Sequence, residues 1–491
     1  MKIKQIFLFI SLISLVITSC AKDDENLKDA LTSEEKEEVA EENSELDVER
    51  FIYKGLNDVY LYKEDVPELA DNYFQSNSEK DQFLKNFSSP EALFDNLKSS
   101  NDRFSFIVSD YESLEDRFNG ISGSTGIKFG LGRINNTNNV FGFLEYILPG
   151  TSAEEQGLTR GTVFTEINGQ KITIENYESL MSGNSFTINI GKVVDGTIVL
   201  TGETVTLTDQ SYTANPVYIA KTLNVGGAKV GYLMYNSFIG DFDDELNAAF
   251  AEFKANGIAD LILDLRYNGG GAVESAVDLA TMITGQFEGE IFMKENWNKE
   301  YQAYFEAQDP ESLINKFDSK IRTGAQINSL NLSRVYVLTS ESTASASELV
   351  INGLEPYINV IQIGDNTTGK FQASVTLYDS DDFGRENANT SHKYAIQPLI
   401  FKSANSAGKT DYINGLAPDV SYVEDLGNMG VLGDEAEPLL KAALNHVLGR
   451  SQEFTASKSS ERFQTIGESG MNQRGYQQMC VEELPPVLQK N

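Results

Sequence analysis

The chain is poor in the side chains that most often carry catalysis or bind metal ions. Its 491 residues include two His, two Cys and one Trp. Two His argue against a histidine-rich zinc site and leave few candidates for a histidine base, and two Cys exclude a disulfide framework. Basic residues are scarce as well, because 39 Lys and Arg stand against 73 Asp and Glu, for a formal net charge of -34. Phosphate binding needs clustered Lys and Arg, so the composition argues against a nucleic-acid partner.

Apolar residues are plentiful, in contrast. They make up 40% of the chain, with 28 Phe and 21 Tyr, so most of the chain is expected to fold. At roughly 100–200 residues per domain, the length predicts about two to four domains.

The first twenty residues have the features of a targeting signal. Basic residues at Lys2 and Lys4 precede an apolar run over 6–17, which is too short to span a bilayer and fits a secretory signal. The following Ile17-Thr18-Ser19-Cys20 resembles the bacterial lipobox, in which cleavage before the Cys leaves a lipidated N-terminus. We therefore predict a signal peptide over 1–19 and a lipid on Cys20. The alternative is an ordinary signal peptide with a chance Cys.

An acidic stretch over 20–47 follows the predicted cleavage point. Residues 21–47 contain twelve acids and three Lys, which predicts a solvated tether. Its start, Ala21-Lys22-Asp23-Asp24-Glu25, resembles the signal that sends some lipoproteins to the outer face of the outer membrane. If that start is merely the beginning of the tether, a periplasmic location is the alternative.

The rest of the chain divides into three patterned regions and a tail. Apolar residues at helical spacing predict a helical domain over 48–118, with helices continuing through 83–87 and 90–97. From 211 to 450, buried strands alternate with helices, which predicts an α/β core with a largely parallel sheet. Residues 451–491 form a polar tail without an assigned role.

The region over 119–210 consists of short predicted strands broken by Gly. Its pieces GIKFG at 126–130, PGTSAEEQGL at 149–158 and INGQKI at 167–172 are similar, in this order, to a PDZ domain of bacterial proteases. Such a domain adds a peptide as a strand and captures its terminal carboxylate. The resemblance implies a peptide-binding loop formed by Gly126, Ile127, Lys128, Phe129 and Gly130. Thr162 departs from the usual Asp, and a β-rich spacer without a ligand is the alternative.

Three segments of the α/β region combine strands with residues suited to chemistry. The first, LDLRYNGGG over 263–271, runs from a buried strand into a turn whose N–H groups can approach an oxyanion; a turn without function fits equally well. The second, TSESTASASE over 339–348, places Ser345 at a helix start, yet Ser345-x-x-Glu348 is also a capping box. The third, TTGKFQ over 367–372, contains Lys370, and most lysines are solvated surface charges.

Taken together, these segments suggest a Ser nucleophile with a Lys base. A Ser hydroxyl needs a base, and neither His392 nor His446 lies in a recognisable triad setting. A Lys serves when burial leaves its amine neutral.

The motifs DLRYNGGG, TASASE and TTGK resemble, in this order, those of the carboxy-terminal processing (tail-specific) peptidases, which use a Ser/Lys pair. The spacing of Ser345 and Lys370 agrees with that family, as do the flanking pieces at 59–67, 232–238 and 415–420. The resemblance spans about 48–450. It implies an α/β multidomain fold with a helical N-terminal domain, a β-rich PDZ domain and a protease core of the ClpP/crotonase-like type.

The same resemblance implies roles for single residues. Ser345 is the expected nucleophile and Lys370 the general base, with no metal or cofactor. The N–H of Ala346, with that of Gly269 or Gly270, is expected to form the oxyanion hole. Glu348 is expected to be structural.

Two departures from the family pattern affect these roles. Ser342-Thr343 replaces the usual Gly-Ser, and Ser374 stands where the family has a Gln four residues after the Lys. If this stretch is a strand, Gln372 lies on the same face as Lys370 and is a candidate to orient it.

The leading hypothesis is a lipid-anchored serine endopeptidase that takes proteins or peptides with free C-termini. The missing Gln motivates a second one, in which the chain keeps the fold but only binds peptides through the PDZ groove. An α/β hydrolase of small esters is disfavoured, because the chain lacks a Gly-x-Ser-x-Gly elbow and a placed His.

Overall fold

The computed structural model describes residues 46–135, 137–450, 463–482 and 484. The predicted signal peptide, Cys20 and the acidic tether up to residue 45 lie outside these residues. Within the described ranges, no helix has the length and apolar character needed to cross a membrane.

Eleven α-helices lie in the described part of the chain, several with a side-chain cap. Ser76, Ser89 and Asp110 each accept a hydrogen bond from a backbone N–H of the helix that follows, which satisfies one of the free donors at a helix start. The helices are α1 (Asp47–Val59), α2 (Asn77–Leu84), α3 (Pro90–Leu97), α4 (Tyr111–Phe118), α5 (Ser152–Glu155), α6 (Tyr177–Met181), α7 (Asp243–Asn256), α8 (Val273–Ile283), α9 (Lys299–Gln308), α10 (Ala346–Leu354) and α11 (Pro438–Val447).

The same ranges contain 25 strands, many of only two to four residues. They are β1 (Phe106–Val108), β2 (Ile121–Ser124), β3 (Ile127–Ile134), β4 (Val140–Ile147), β5 (Val163–Phe164), β6 (Glu166–Ile167), β7 (Gln170–Lys171), β8 (Ser185–Val194), β9 (Thr197–Thr208), β10 (Gln210–Thr213), β11 (Val217–Val225), β12 (Ala228–Tyr235), β13 (Asp260–Asp264), β14 (Gly271–Ala272), β15 (Ile291–Trp297), β16 (Ile314–Lys316), β17 (Arg334–Thr339), β18 (Asn359–Gly364), β19 (Gln372–Val375), β20 (Leu377–Tyr378), β21 (Ala395–Gln397), β22 (Leu399–Asn405), β23 (Val420–Ser421), β24 (Phe463–Glu468) and β25 (Met479–Val481).

The predicted multidomain α/β fold with a helical N-terminal region is confirmed. One sheet has the order β11-β12-β13-β17-β18-β23, and all its pairings are parallel except β11 with β12. All five residues of β13 are buried, as expected for a strand with both faces covered. α11 contributes Leu439 and Leu440 to the apolar cluster that also holds Ile262 and Tyr336.

This topology determines where the motifs lie. The strands β13, β17 and β18 run parallel, so their carboxyl ends meet at one edge of the sheet, where open α/β sheets bind ligands. The glycine-rich turn follows β13, the loop with Ser345 follows β17, and the turn with Lys370 follows β18.

A helix predicted through 83–87 is shorter than expected. α2 ends at Leu84, and the rings of Phe83 and Phe87 pack edge to face with centroids 5.2 Å apart. The repeated Phe therefore reflects aromatic packing after the helix, not a further helical turn.

Two other sheets include strands from the far end of the chain. β24 joins the edge of the sheet β24-β3-β4-β5-β8-β6-β7, to which β9 is added through β8. β25 lies inside the sheet β14-β25-β19-β22-β15-β16. Residues 463–482, treated above as part of a polar tail, thus pair with two separate regions of the fold.

Candidate active site

Backbone hydrogen bonds join the three motif loops. The Ala344 N–H donates to the Asn268 carbonyl over 3.1 Å, and the Thr368 N–H donates to the Thr343 carbonyl over 3.0 Å. The Ser347 hydroxyl also donates to the Asn268 carbonyl over 3.0 Å. The loop with Ser345 is therefore held between the glycine-rich turn and the segment before Lys370.

Ser345 lies at the start of α10 in a strained backbone conformation. Its φ is 66° and its ψ is -113°, a region that residues other than Gly rarely adopt and that is frequent at functional sites. The side chain is buried, and its Oγ has no hydrogen-bond partner of good geometry. The N-terminus of α10 places partial positive charge beside this hydroxyl.

Glu348 connects the Ser and Lys segments. A single oxygen, Oε2, accepts from the Ser345 N–H over 2.8 Å and from the Lys370 N–H over 2.9 Å. The other oxygen accepts from the Gly369 N–H over 2.7 Å and from the Thr367 hydroxyl over 2.5 Å. Burial raises the pKa of Glu348, and these hydrogen bonds oppose the shift. The carboxylate half of the predicted capping box is thus present, since Glu348 accepts from the Ser345 N–H, and the same carboxylate also fixes the segment that carries Lys370.

Lys370 is a buried amine, with 2% of its surface exposed. Its Nζ lies 4.8 Å from the centroid of the Phe104 ring, and no ion pair to Lys370 is found among the described residues. Burial lowers the pKa of Lys370 to about 8, and attraction to Cys480, Asp102 and Glu348 offsets only part of that shift. About a fifth of this amine is therefore neutral at about pH 7.4, against about a thousandth for an ordinary Lys.

The strand after Lys370 does not supply the expected orienting contact. Gln372 donates through Nε2 to the Tyr62 hydroxyl over 3.0 Å, and its Oε1 has no partner, so the side chain does not accept a hydrogen bond from Lys370. Ser374, at the position of the missing Gln, donates to the Met479 carbonyl over 3.1 Å.

The glycine-rich turn brings backbone groups close to Ser345. A side chain at Gly270, where φ is 107°, would clash with the Gln478 carbonyl and would place its Cβ 2.7 Å from Ser345 Cβ and 3.0 Å from the Ala346 nitrogen. The Gly270 N–H itself donates to Asn268 Oδ1 over 2.8 Å. Gly269 and Gly270 are the two predicted partners of Ala346 in the oxyanion hole. Gly270 already uses its N–H in the bond to Asn268, whereas Gly269 does not.

The predicted peptide-binding loop at Gly126–Gly130 lies in another sheet. It includes the start of β3, which pairs with β4 on one side and with β24 on the other. Phe129 donates through its N–H to Ser469 Oγ over 3.2 Å. The edge on which a PDZ ligand would add is thus paired with this chain's own C-terminal region.

Residues from the helical N-terminal region complete the surroundings of Lys370, and motif reading missed them. Phe104 covers the amine, and Asp102 accepts hydrogen bonds from the Phe104 and Ser105 N–H groups. Arg103 donates to the Gly369 carbonyl over 3.3 Å. A signal was available in the piece at 59–67, which contains Tyr62, the partner of Gln372.

Two further candidate groups differ in their position. His392 pairs with Asp379 over 3.0 Å. Cys480 is a partly buried free thiol in β25, and it interacts electrostatically with the Lys370 amine. In the described part of the chain, no group of three or more His, Cys, Asp or Glu side chains is arranged to hold a metal ion.

Comparisons with known proteins show which family this chain resembles. Residues 229–422 match the family model described as Peptidase family S41, and residues 47–106 match the Peptidase S41 N-terminal domain. A crystal structure titled "Putative S41 protease" from Bacteroides fragilis is 30% identical, with a TM-score of 0.64, and the match covers 82% of this chain and 97% of that one.

Two curated relatives match over a shorter part of the chain. A carboxyl-terminal-processing protease of Picosynechococcus is 25% identical over 327 residues, which are 66% of this chain and 71% of that protein. A chloroplastic C-terminal processing peptidase of Tetradesmus obliquus is 26% identical over 311 residues, covering 60% of each chain.

Proposed function

This chain belongs to peptidase family S41 and is a serine-type peptidase, and we propose that it cleaves proteins or peptides with Ser345 as nucleophile and Lys370 as general base. The observation that carries the proposal is the buried amine of Lys370, whose backbone shares the Glu348 Oε2 atom with the backbone of Ser345. By lowering the pKa of the amine, burial makes its unprotonated form, which a base requires, accessible near neutral pH.

In the proposed reaction, neutral Lys370 takes the proton of Ser345 Oγ as this oxygen attacks the scissile carbonyl carbon. The ammonium then returns the proton to the leaving amine, which leaves an acyl group on Ser345. Water then attacks that ester while Lys370 accepts a proton from it; the ammonium returns this proton to Ser345 Oγ as the acyl C–O bond breaks, and the product carboxylic acid departs and ionises in solvent. The Ser345 hydroxyl makes no hydrogen bond in the free protein, so its contact with Lys370 forms when substrate binds.

The negative charge on the carbonyl oxygen needs backbone donors. We propose the N–H of Ala346, at the start of α10, and the N–H of Gly269. Since the Gly270 N–H is bonded to Asn268 Oδ1, its role is to hold the turn in shape.

We further propose that the segment around Gly126–Gly130 binds the C-terminal end of the substrate. A cavity of about 560 Å³ lies between this loop and α6; its lining is mixed in polarity and includes the apolar side chains of Phe129 and Met181. Strand addition along β3 would supply backbone hydrogen bonds, and the cavity would accept an apolar terminal side chain.

The proposed location is the outer membrane, with the chain held by a lipid on Cys20 and facing the cell surface. The motif at 17–20 and the acidic stretch behind it support this proposal. Incorporation of a labelled fatty acid into the wild-type chain, and none into Cys20→Ser, is the expected result; equal incorporation would contradict it.

The dyad is tested with Ser345→Ala and Lys370→Ala. Both should lower kcat/KM for unfolded casein by at least about a thousandfold, as loss of a nucleophile or its base does in serine enzymes. Ser275→Ala removes another buried Ser hydroxyl without a partner, and Lys402→Ala removes a Lys paired with Asp411.

Both control variants should keep activity near that of the wild type. If Ser345→Ala cleaved casein as fast as the wild type, the proposal would be wrong. If no form turned over peptides that it nevertheless bound, the chain would be a binding protein.

A further inference from the structure

The C-terminal segment over 463–482 occupies the edge of the sheet that a peptide ligand would use. β24 pairs antiparallel with β3, from Phe463 opposite Ile134 to Glu468 opposite Gly130. Ser469 extends the pairing, because its N–H donates to the Phe129 carbonyl over 2.7 Å. The backbone groups that strand addition needs are therefore already taken.

Side chains of the same segment fill the apolar surface beside that edge. Ile466 and Met471 pack against the cluster that includes Ile127 and Leu131. Residues 468–473 also form part of the wall of the 560 Å³ cavity next to α6. The segment thus uses the side-chain surface as well as the backbone of the groove.

The segment then crosses to the loop that carries the nucleophile. Glu468 accepts a hydrogen bond from the Ser342 hydroxyl and another from the Tyr476 hydroxyl. Gln477 donates to the Thr368 hydroxyl over 3.0 Å. These contacts lie on both motif segments that flank the candidate dyad.

Its last strand lies between the glycine-rich turn and the Lys strand. β25 is paired in parallel with β14 on one side and with β19 on the other. The Gly271 N–H donates to the Gln478 carbonyl over 2.5 Å, and a single Cβ on Gly270 would contact both that carbonyl and Ser345. A substrate backbone that approaches Ser345 meets this strand.

We propose that residues 463–482 are a built-in occupant of the substrate path, which inhibits the peptidase until the segment is displaced. This inference rests on the proposed function, because it takes the β3 edge and the cleft beside Ser345 as the surfaces that bind substrate. It also assigns the backbone of β14 and β19 as the edges along which a substrate chain pairs in the cleft.

The inference is tested by releasing the segment from the full chain. A recognition sequence for a site-specific protease is inserted at 451–462, between α11 and β24, and the cut protein is separated from the fragment by gel filtration. Activity on unfolded casein should rise at least tenfold after separation. A synthetic peptide of residues 463–491 should restore inhibition by raising KM with little change in kcat, and a scrambled peptide should not.

Point variants of the full chain test the same inference if the protein without its C-terminal fragment fails to fold. Ile466→Asp with Met471→Asp places two charges on the apolar surface, and it should raise the activity of the uncut chain several-fold. Gln464→Glu changes an exposed residue of the same segment and should leave activity unchanged. Equal activity in all uncut and cut forms would overturn the inference, as would cleavage of the segment by Ser345 itself.

A binding measurement separates this inference from the proposed function. On the background of Ser345→Ala, cut and stripped protein should bind fluorescent 463–491 peptide, and an unfolded casein peptide should compete with it. Absence of competition would contradict occupancy of the substrate path. If competition is found but the cut form with native Ser345 never cleaves casein, the proposed function fails and the occupancy stands.

Discussion

Two clusters of buried polar side chains lie beside the segment over 264–271. Ion pairs stabilise the buried charge in one cluster, and burial disfavours it in the other. On one side Arg266 is completely buried, and it forms ion pairs with Asp264, Glu424 and Glu437. On the other side Lys370 is also buried, but it forms no ion pair among the described residues. In the first cluster, ion pairs stabilise the charged form of Arg266. In the second, burial disfavours the charged form of Lys370.

The Arg266 cluster has the marks of a structural network. Glu424 accepts from Arg266 and from the Tyr267 hydroxyl and pairs with Arg160, which comes from the segment after α5. Although burial by itself would raise it, the pKa of Glu424 is lowered to about 2 by Arg160 and Arg266. Glu424, Arg160 and Arg266 therefore remain charged over the whole physiological pH range.

The Ser345 cluster holds two buried polar atoms without a hydrogen-bond partner, Ser345 Oγ and Gln372 Oε1. The Lys370 amine beside them faces an aromatic ring. Buried polar groups are normally bonded, and unsatisfied ones also occur elsewhere among the described residues, as at Ser275. What distinguishes the Ser345 cluster is that its unsatisfied atoms lie beside a buried amine whose pKa is lowered, a combination typical of functional sites.

Breaking the satisfied cluster should have the largest effect on stability. Arg266→Met leaves Asp264 and Glu437 buried without their partner, and such a loss costs about 3–5 kcal/mol of unfolding free energy. Urea unfolding followed by circular dichroism measures the change. Lys393→Met serves as the control, because both members of its pair with Glu112 are about half exposed. A change below about 1 kcal/mol for Arg266→Met, the size expected of a surface pair, would remove the contrast.

Glu348→Gln should have a smaller effect on stability and a specific effect on the pH profile. The carboxylate accepts four hydrogen bonds, and an amide replaces at least one acceptor, which should cost about 1–3 kcal/mol. Removing the negative charge disfavours the Lys370 ammonium, so the acidic limb of kcat/KM should move to lower pH. Glu341→Gln, on the exposed side of the same loop, should shift neither quantity. If the acidic limb of kcat/KM did not move in Glu348→Gln, Glu348 would act on packing alone.

Much of this arrangement could be predicted from the sequence, since its signals are local. Long apolar strands and the loops behind them are adjacent in the chain, so the order of the motifs at β13, β17 and β18 predicts a common edge. The turn at Asn168-Gly169 was predictable too, and both residues have positive φ. Ser345 and Lys370 follow from their motifs in the same way.

Other parts depend on contacts between distant residues. Phe104 and Asp102 reach Lys370 from a region far earlier in the chain, and nothing in their local sequence marks them. β24 and β25 are short and mixed in polarity, so their pairing is decided by the edges they meet and not by their own propensity. The same holds for Gln372, whose position in a strand is predictable; the motif piece at 59–67 contains Tyr62 but does not show that its hydroxyl bonds to Gln372.

The most direct test of the Ser345/Lys370 dyad is the pH dependence of Ser345 labelling by a serine-reactive phosphonate, followed by mass spectrometry on protein released from its C-terminal segment. Because the amine acts as base only when neutral, and burial lowers the pKa of Lys370 to about 8, the rate should rise about tenfold per pH unit below that value and level off above it. In Lys370→Met, the labelling rate should be low and should not rise with pH below about 8. A rate independent of pH between about 6 and 9, or a wild-type rate in Lys370→Met, would contradict the account.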